Sequence, residues 1–378
     1  MFIQNKINFN FKHVVLFSIF FEIIFFLRTG LVYSYPNDQL WHHFFLYIKE
    51  FSLDLDLMSF ANSEQRSLWF FLMGNLSKIF DPLQLYYIFI ITQNFIFFLI
   101  CFLIFDHFLI KKTLLNYILF GFVISSNYIL FSGSLASFHE ISYTYRSTGY
   151  ILNLLAIYLV LKNKPYYSII IAFAGSLMHL PISVPFYIFF ITFIFLRKYN
   201  FKITTFFLIS VILLVIFNLS HVSFIKDEEY LDLAKKLMYL RQSYLYVENW
   251  NTDYTLRYFL FYICFFTSII FTRNILKKFL IILFLMHLSY LVCVYLTYEL
   301  PTFSVFKLGR ELPFIFMVFL TMMINFTDNN FFNNLLIFIS LFSLILFSSL
   351  SIFLIIFLIQ IILNKNKINY TFSKLYSK

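Results

Sequence analysis

The sequence predicts an all-α fold, a polytopic transmembrane helical protein with about 10–12 membrane helices in one domain over residues 1–378, and three observations carry that expectation. First, 61% of the 378 residues are hydrophobic and only 12% are charged, which leaves too little polar surface to coat a water-soluble globule of this size. Second, apolar runs of about 15 to 25 residues recur along the chain, and a helix rising about 1.5 Å per residue needs roughly 20 of them to cross a ~30 Å hydrocarbon core. Third, basic residues gather in short connections between the runs, at Lys111 and Lys112, Lys162 and Lys164, Arg197 and Lys198, and Arg273, Lys277 and Lys278. Positive charge beside a span marks the cytoplasmic side. The runs are too long and unbroken for the alternating strands of a membrane barrel, and backbone groups in lipid then leave only helices.

Taken in order, the first run, 13–33, is expected to be a retained span with its N-terminus inside: Lys6 and Lys12 precede it and no A-x-A-like cleavage site follows. Residues 34–66 carry Asp38, Glu50, Asp54, Asp56 and Glu64 against Lys49 and Arg66, so this connection belongs outside. Residues 67–80 are too short for a span and read as a re-entrant or interfacial piece. Spans are expected at 85–105, 113–133 and 146–161. The stretch 166–196 lies between two basic clusters and must go out and return, with Pro181 and Pro185 supplying the bend and His179 at the outer tip. A span at 203–220 leads to a second long outer loop, 221–257, whose segment "DEEYLDLAKKLMYLR" matches a helix dipole and places Leu233, Leu237 and Leu240 on one face, as in a surface-lying helix. Spans at 258–272, 279–297 and 311–326 follow. The run 335–363 is long enough to tilt strongly and cross once, which would leave the basic tail, 364–378, outside against the charge rule, or to fold back and keep it inside, which is the expected arrangement.

Several functional classes lose support at once. No P-loop, dinucleotide glycine pattern, H-E-x-x-H or G-x-S-x-G occurs. Cys101, Cys264 and Cys293 lie in apolar runs without C-x-x-C spacing, so no metal site or disulfide is implied. The net charge of +10 is explained by membrane orientation, and no nucleic acid is expected.

What remains is an uneven distribution of polar groups. The expected outer side collects Arg28, Arg146, Arg241, Arg257 and Arg310, with His42, His43, His139, His179 and His221. Orientation does not demand arginine there, and a charge deep in lipid costs about 2.5–3.5 kcal/mol on insertion scales, so it is usually retained for a partner. A guanidinium pairs bidentately with phosphate oxygens, which suits Arg146, Arg310 and Arg28 to an anionic headgroup or diphosphate. The alternative is that these side chains only snorkel to the interface. For Arg241 and Arg257, in a loop, simple solvation is the stronger reading. His179 is either a proton acceptor or a hydrogen-bonding residue of the hairpin turn.

Three segments carry a family resemblance: "FLRTGLVYSYPNDQLWHHFFLYI", "YRSTGYILNLLAIYLVLKNKPYYSIIIAFAGSLMHLPISVPFYIFF" and "LGRELPFIFMVF". The first is similar to an Arg followed by an Asp and an aromatic-rich outer helix, and the second to an Arg, Ala, Lys, Ala, His block. The chain thereby resembles the Wzy-type polysaccharide polymerases, in particular the EpsG-like branch. Two positions depart from the pattern: the Arg146 block continues with Ser-Thr-Gly, and Trp41 stands for a Tyr. The resemblance implies a glycosyltransferase of the bacterial inner membrane joining polyprenyl-diphosphate-linked repeat units of an O-antigen, capsule or exopolysaccharide. An acceptor hydroxyl attacks the donor's anomeric carbon and the lipid diphosphate leaves. His179 is the first candidate for the base and Asp38 the second, with Arg146, Arg310 and Arg28 on the diphosphate; no metal or cofactor is required. Arg241, Tyr244 and Trp250 are candidates for sugar contacts in the outer loop. Implied partners are the donor and acceptor glycolipids, membrane lipid, a flippase and a chain-length regulator.

Two other readings stay open. A type-C glycosyltransferase would place a catalytic carboxylate among Asp38, Asp54 and Asp56, and an O-antigen ligase shares much of the same chemistry. A transporter of lipid-linked glycans would show inverted repeats and helices broken at the midplane, neither of which is visible in the sequence.

Overall fold

The computed structural model describes residues 10–29, 72, 75–76, 78–110, 112–126, 145–197, 201–219, 236, 252–272, 274–299, 312–327, 331–347 and 350–364. These residues form an all-α structure of twelve helices, with no strand among them. In chain order they are α1 (Phe11–Thr29), α2 (Pro82–Phe108), α3 (Leu114–Ile124), α4 (Tyr145–Leu161), α5 (Pro165–Met178), α6 (Leu180–Arg197), α7 (Phe201–Leu219), α8 (Thr252–Phe271), α9 (Asn274–Glu299), α10 (Leu312–Asn325), α11 (Phe331–Phe347) and α12 (Leu350–Leu363). Within α2, Tyr87–Phe108 is the one described segment long and apolar enough to cross a membrane by length and composition.

Local chemistry sets the helix ends. Asp81 caps α2 by accepting from the Gln84 N–H at 2.9 Å, and Thr113 caps α3 through Asn116. The α4–α5 turn is a Schellman closure: the Lys164 N–H reaches the Leu159 carbonyl and the Asn163 N–H that of Val160, each at 2.9 Å. Asn163 takes the left-handed position of that motif at φ 57, and Pro165 opens the next helix, where its missing N–H is not needed.

Aromatic contacts fix the order of the bundle. Phe17 meets Phe102 and Tyr117, and Phe25 meets Phe98, so α1 runs antiparallel to α2 and parallel to α3. Phe266 meets Phe284 and Phe261 meets His287, which makes α8 and α9 antiparallel. Phe316 on Phe353 and Phe319 on Phe357 set α10 parallel to α12. One end of the bundle is tied by polar bonds. Asp106 accepts from Lys112 Nζ at 2.6 Å and from the Tyr117 hydroxyl, while Asn325 accepts from the Ile110 N–H and donates to the Phe108 carbonyl. Phe108 also meets Phe279 at the start of α9, and Tyr158 near the end of α4 lies within electrostatic reach of Asp106, so the α4–α5 turn and, through Tyr166 on Phe206, the start of α7 belong to the same end. That end carries Lys12, Lys112, Lys162, Lys164, Lys202, Lys277 and Lys278.

Three expectations are corrected. The bend in 166–196 falls at His179, the expected tip, where the backbone is extended at φ −158 and ψ 96, and Pro185 takes no part in it. Pro181 is the second residue of α6 and Pro185 lies inside it. The cause is still Pro181: its ring would clash with the Leu177 carbonyl four residues back, so α5 cannot continue through it. In the third apolar run the helix Leu114–Ile124 gives way to a turn at Ser125 and Ser126, and 127–133 lie outside the described residues. The outer loop 221–257 ends early, because Thr252–Arg257 already belongs to α8. Residues 67–80 are described only in part, with helical Leu72, Asn75 and Leu76 and then a turn at Lys78 and Ile79. The run 335–363 does divide in two, as α11 and α12. The rest of the loops 34–66 and 221–257, apart from Lys236, and the tail from 365 lie outside the described residues.

Candidate active site

At the end opposite the lysines, three helices converge: the start of α4, the end of α5 and the start of α6. They approach closely because two glycines face each other. A methyl group at Gly149 would stand 3.2 Å from the Gly175 carbonyl oxygen and 3.3 Å from the Cβ of His179. One at Gly175 would stand 2.9 Å from Asn153 Nδ2 and 3.2 Å from the Gly149 carbonyl oxygen. Side chains are excluded from this crossing, so the extended backbone at His179 lies directly on α4.

Arg146 is the second residue of α4, three before Gly149 and therefore one helical turn toward the open end on a neighbouring part of the same face. The helix thus brings the Arg146 backbone and His179 to one locality, although they are 33 residues apart in sequence. The Arg146 side chain lies outside the described residues, while His179 is partly buried and its N–H closes α5 on the Gly175 carbonyl at 3.0 Å.

Polar side chains line the floor beneath. Gln93 of α2 accepts from Ser147 Oγ at 3.0 Å and from Thr148 Oγ1 at 3.2 Å, joining α2 to the first turn of α4. Asn153 Nδ2 donates at 2.7 Å both to the Gly149 carbonyl and to Ser183 Oγ. Ser183 Oγ in turn donates to the His179 carbonyl at 3.3 Å. Gln93, Ser147, Asn153 and Ser183 are all buried. Sequence reasoning passed over all of them, because an isolated amide or hydroxyl inside an apolar run carries no spacing signal.

Arg28 stands at this end too, but its guanidinium donates to the Ile345 carbonyl in the last turns of α11 at 3.1 Å. A cation there complements the helix dipole, which gives Arg28 a packing role of its own. Arg257 is partly buried in the second turn of α8. Asp38, Arg310, Arg241, Tyr244 and Trp250 lie outside the described residues. Among the described residues, no three His, Cys, Asp or Glu side chains gather in a way that could hold a metal.

No family model, curated protein or solved structure matches the chain.

Proposed function

We propose that the chain is a multi-pass protein of the bacterial cytoplasmic membrane that polymerises polyprenyl-diphosphate-linked repeat units on the outer face. The membrane part of this reading is supported by the outward faces of the helices. α7 exposes Leu208, Ile209, Ile212, Leu213, Val215 and Ile216, each about half open, and α12 exposes Ile352, Ile355, Ile359 and Ile362. In water such stripes are aggregation surfaces; in hydrocarbon they cost nothing. The lysines gathered at the Asp106 end support the orientation, with Lys78, just before α2, an exception. Cysteine labelling of intact cells is expected to mark a Tyr230→Cys variant and to leave Lys111→Cys untouched, and the reverse pattern would overturn the topology.

The observation that carries the catalytic part is the meeting of His179 with the first turns of α4, away from the lysines. In the proposed step, an acceptor sugar hydroxyl forms a bond to the donor's anomeric carbon as the bond from that carbon to the diphosphate oxygen breaks. The hydroxyl proton passes to His179, with Asp38 the other candidate for that role. The electron pair leaves on the polyprenyl diphosphate, where Arg146 and Arg310 oppose its growing negative charge. Arg241, Tyr244 and Trp250 supply sugar contacts, and a flippase and a chain-length regulator act alongside. The test is a gel of surface polysaccharide from a deletion strain carrying either the wild-type gene or His179→Gln, which keeps hydrogen bonding but loses the neutral-pH base. Wild type is expected to restore the ladder and the variant to accumulate single-repeat glycolipid at normal protein abundance. A full ladder from His179→Gln would remove the histidine from catalysis, and a full ladder from the empty deletion strain would remove the function.

A further inference from the structure

We propose that Asn153 is a positioning residue that holds His179 in place against α4, an assignment that rests on the polymerase reading and extends it below the site. Membrane packing alone does not explain Asn153. Asn153 lies fully buried in α4, its Oδ1 finds no hydrogen-bond partner among the described residues, and an apolar side chain at this position would carry no such desolvation penalty.

What the amide does accomplish is to connect three helices. Nδ2 holds the Gly149 carbonyl on its own helix and Ser183 Oγ on α6, both at 2.7 Å, and the Ser183 hydroxyl reaches the His179 carbonyl. Nδ2 also occupies the space above Gly175, 2.9 Å from where a Cβ would sit. Both backbone flanks of His179 are therefore fixed: its N–H by Gly175 and its carbonyl by Ser183, each of which touches Asn153 or lies against it. Helix breaks with an extended residue are otherwise free to rotate, and a base must be held to within a fraction of an ångström of its proton donor to be effective.

The test uses the full-length protein in membranes with two readouts. The first is the rate at which diethyl pyrocarbonate modifies His179, followed by mass spectrometry. Asn153→Leu is expected to raise that rate several-fold, and Ser183→Ala, a smaller change at a position that accepts a small residue, to raise it in the same direction. The second is polymerisation of single-repeat glycolipid. Asn153→Leu is expected to lower kcat about tenfold with little change in KM, and to cause no further loss on a His179→Gln background, since it acts through the histidine. A merely structural asparagine would instead add its loss to that of His179→Gln, and that result would overturn the proposal. Should Asn153→Leu fail to accumulate, Ser183→Ala decides: a His179 modification rate equal to wild type refutes the assignment. If wild type makes no polymer, the polymerase reading falls, while the modification rates still judge the link from Asn153 to His179.

Discussion

Replacing Arg146 and Arg310 together with alanine is expected to stop chain elongation, lowering the polymerisation rate by about 10² to 10⁴-fold at unchanged protein level. Each charge-assisted hydrogen bond to a phosphate oxygen contributes about 1.5–3 kcal/mol, and one factor of ten in rate corresponds to about 1.4 kcal/mol. The contribution grows along the reaction, because charge on the leaving oxygen increases as the anomeric bond breaks. Lysine at both positions should rescue only in part, since a point charge cannot reproduce the planar pair of donors. Arg28→Gln is the informative control. Its guanidinium holds a carbonyl of α11, so this substitution should cost only a few tenths to about 1 kcal/mol of stability and leave the ladder intact. Quantifying glycolipid and polymer in strains carrying these variants checks all three; full-length polymer from the double alanine variant would exclude the clamp.

Gly121→Leu is expected to remove most of the folded protein. Gly121 is buried in α3 beneath the ring of Phe21, and a Cβ there would fall 2.1 Å from the ring's edge. The ring cannot step aside, because Phe20, Phe102 and Phe122 surround it at centroid distances of 5.1, 5.7 and 5.4 Å. Overpacking of a close-packed core costs about 1–3 kcal/mol and more when several atoms are added, so a loss of about 3 kcal/mol or above is anticipated. Phe21→Ala in the same chain should recover much of it by vacating the space the leucine needs. Detergent-extracted protein yield and melting temperature report both effects, and a Gly121→Leu protein as stable as wild type would refute the α1–α3 packing.

The helices were legible in the sequence because apolar length and flanking lysines are strong, local signals. The run 166–196 could be read as two helices from its basic ends alone, and 335–363 from its length. The bend at His179 was legible from Pro181, whose ring clashes with the Leu177 carbonyl, whereas nothing local in the sequence showed that Pro185 would lie inside α6 instead of in the bend. The floor of the site was not legible either. Gln93 and Asn153 acquire meaning only from the rotational setting of α2 and α4, which brings Ser147, Thr148 and Ser183 within hydrogen-bond reach. The same holds for Arg28, whose partner lies 317 residues away in sequence.

The most direct measurement is made on purified protein in lipid vesicles supplied with single-repeat polyprenyl-diphosphate glycolipid and nothing else. A ladder of longer glycolipids is expected, with one polyprenyl diphosphate released for each linkage formed and a release rate that falls with the Arg146 and Arg310 alanine pair. Glycolipid that stays at one repeat with no diphosphate released, in vesicles containing correctly folded protein, would contradict the polymerase reading.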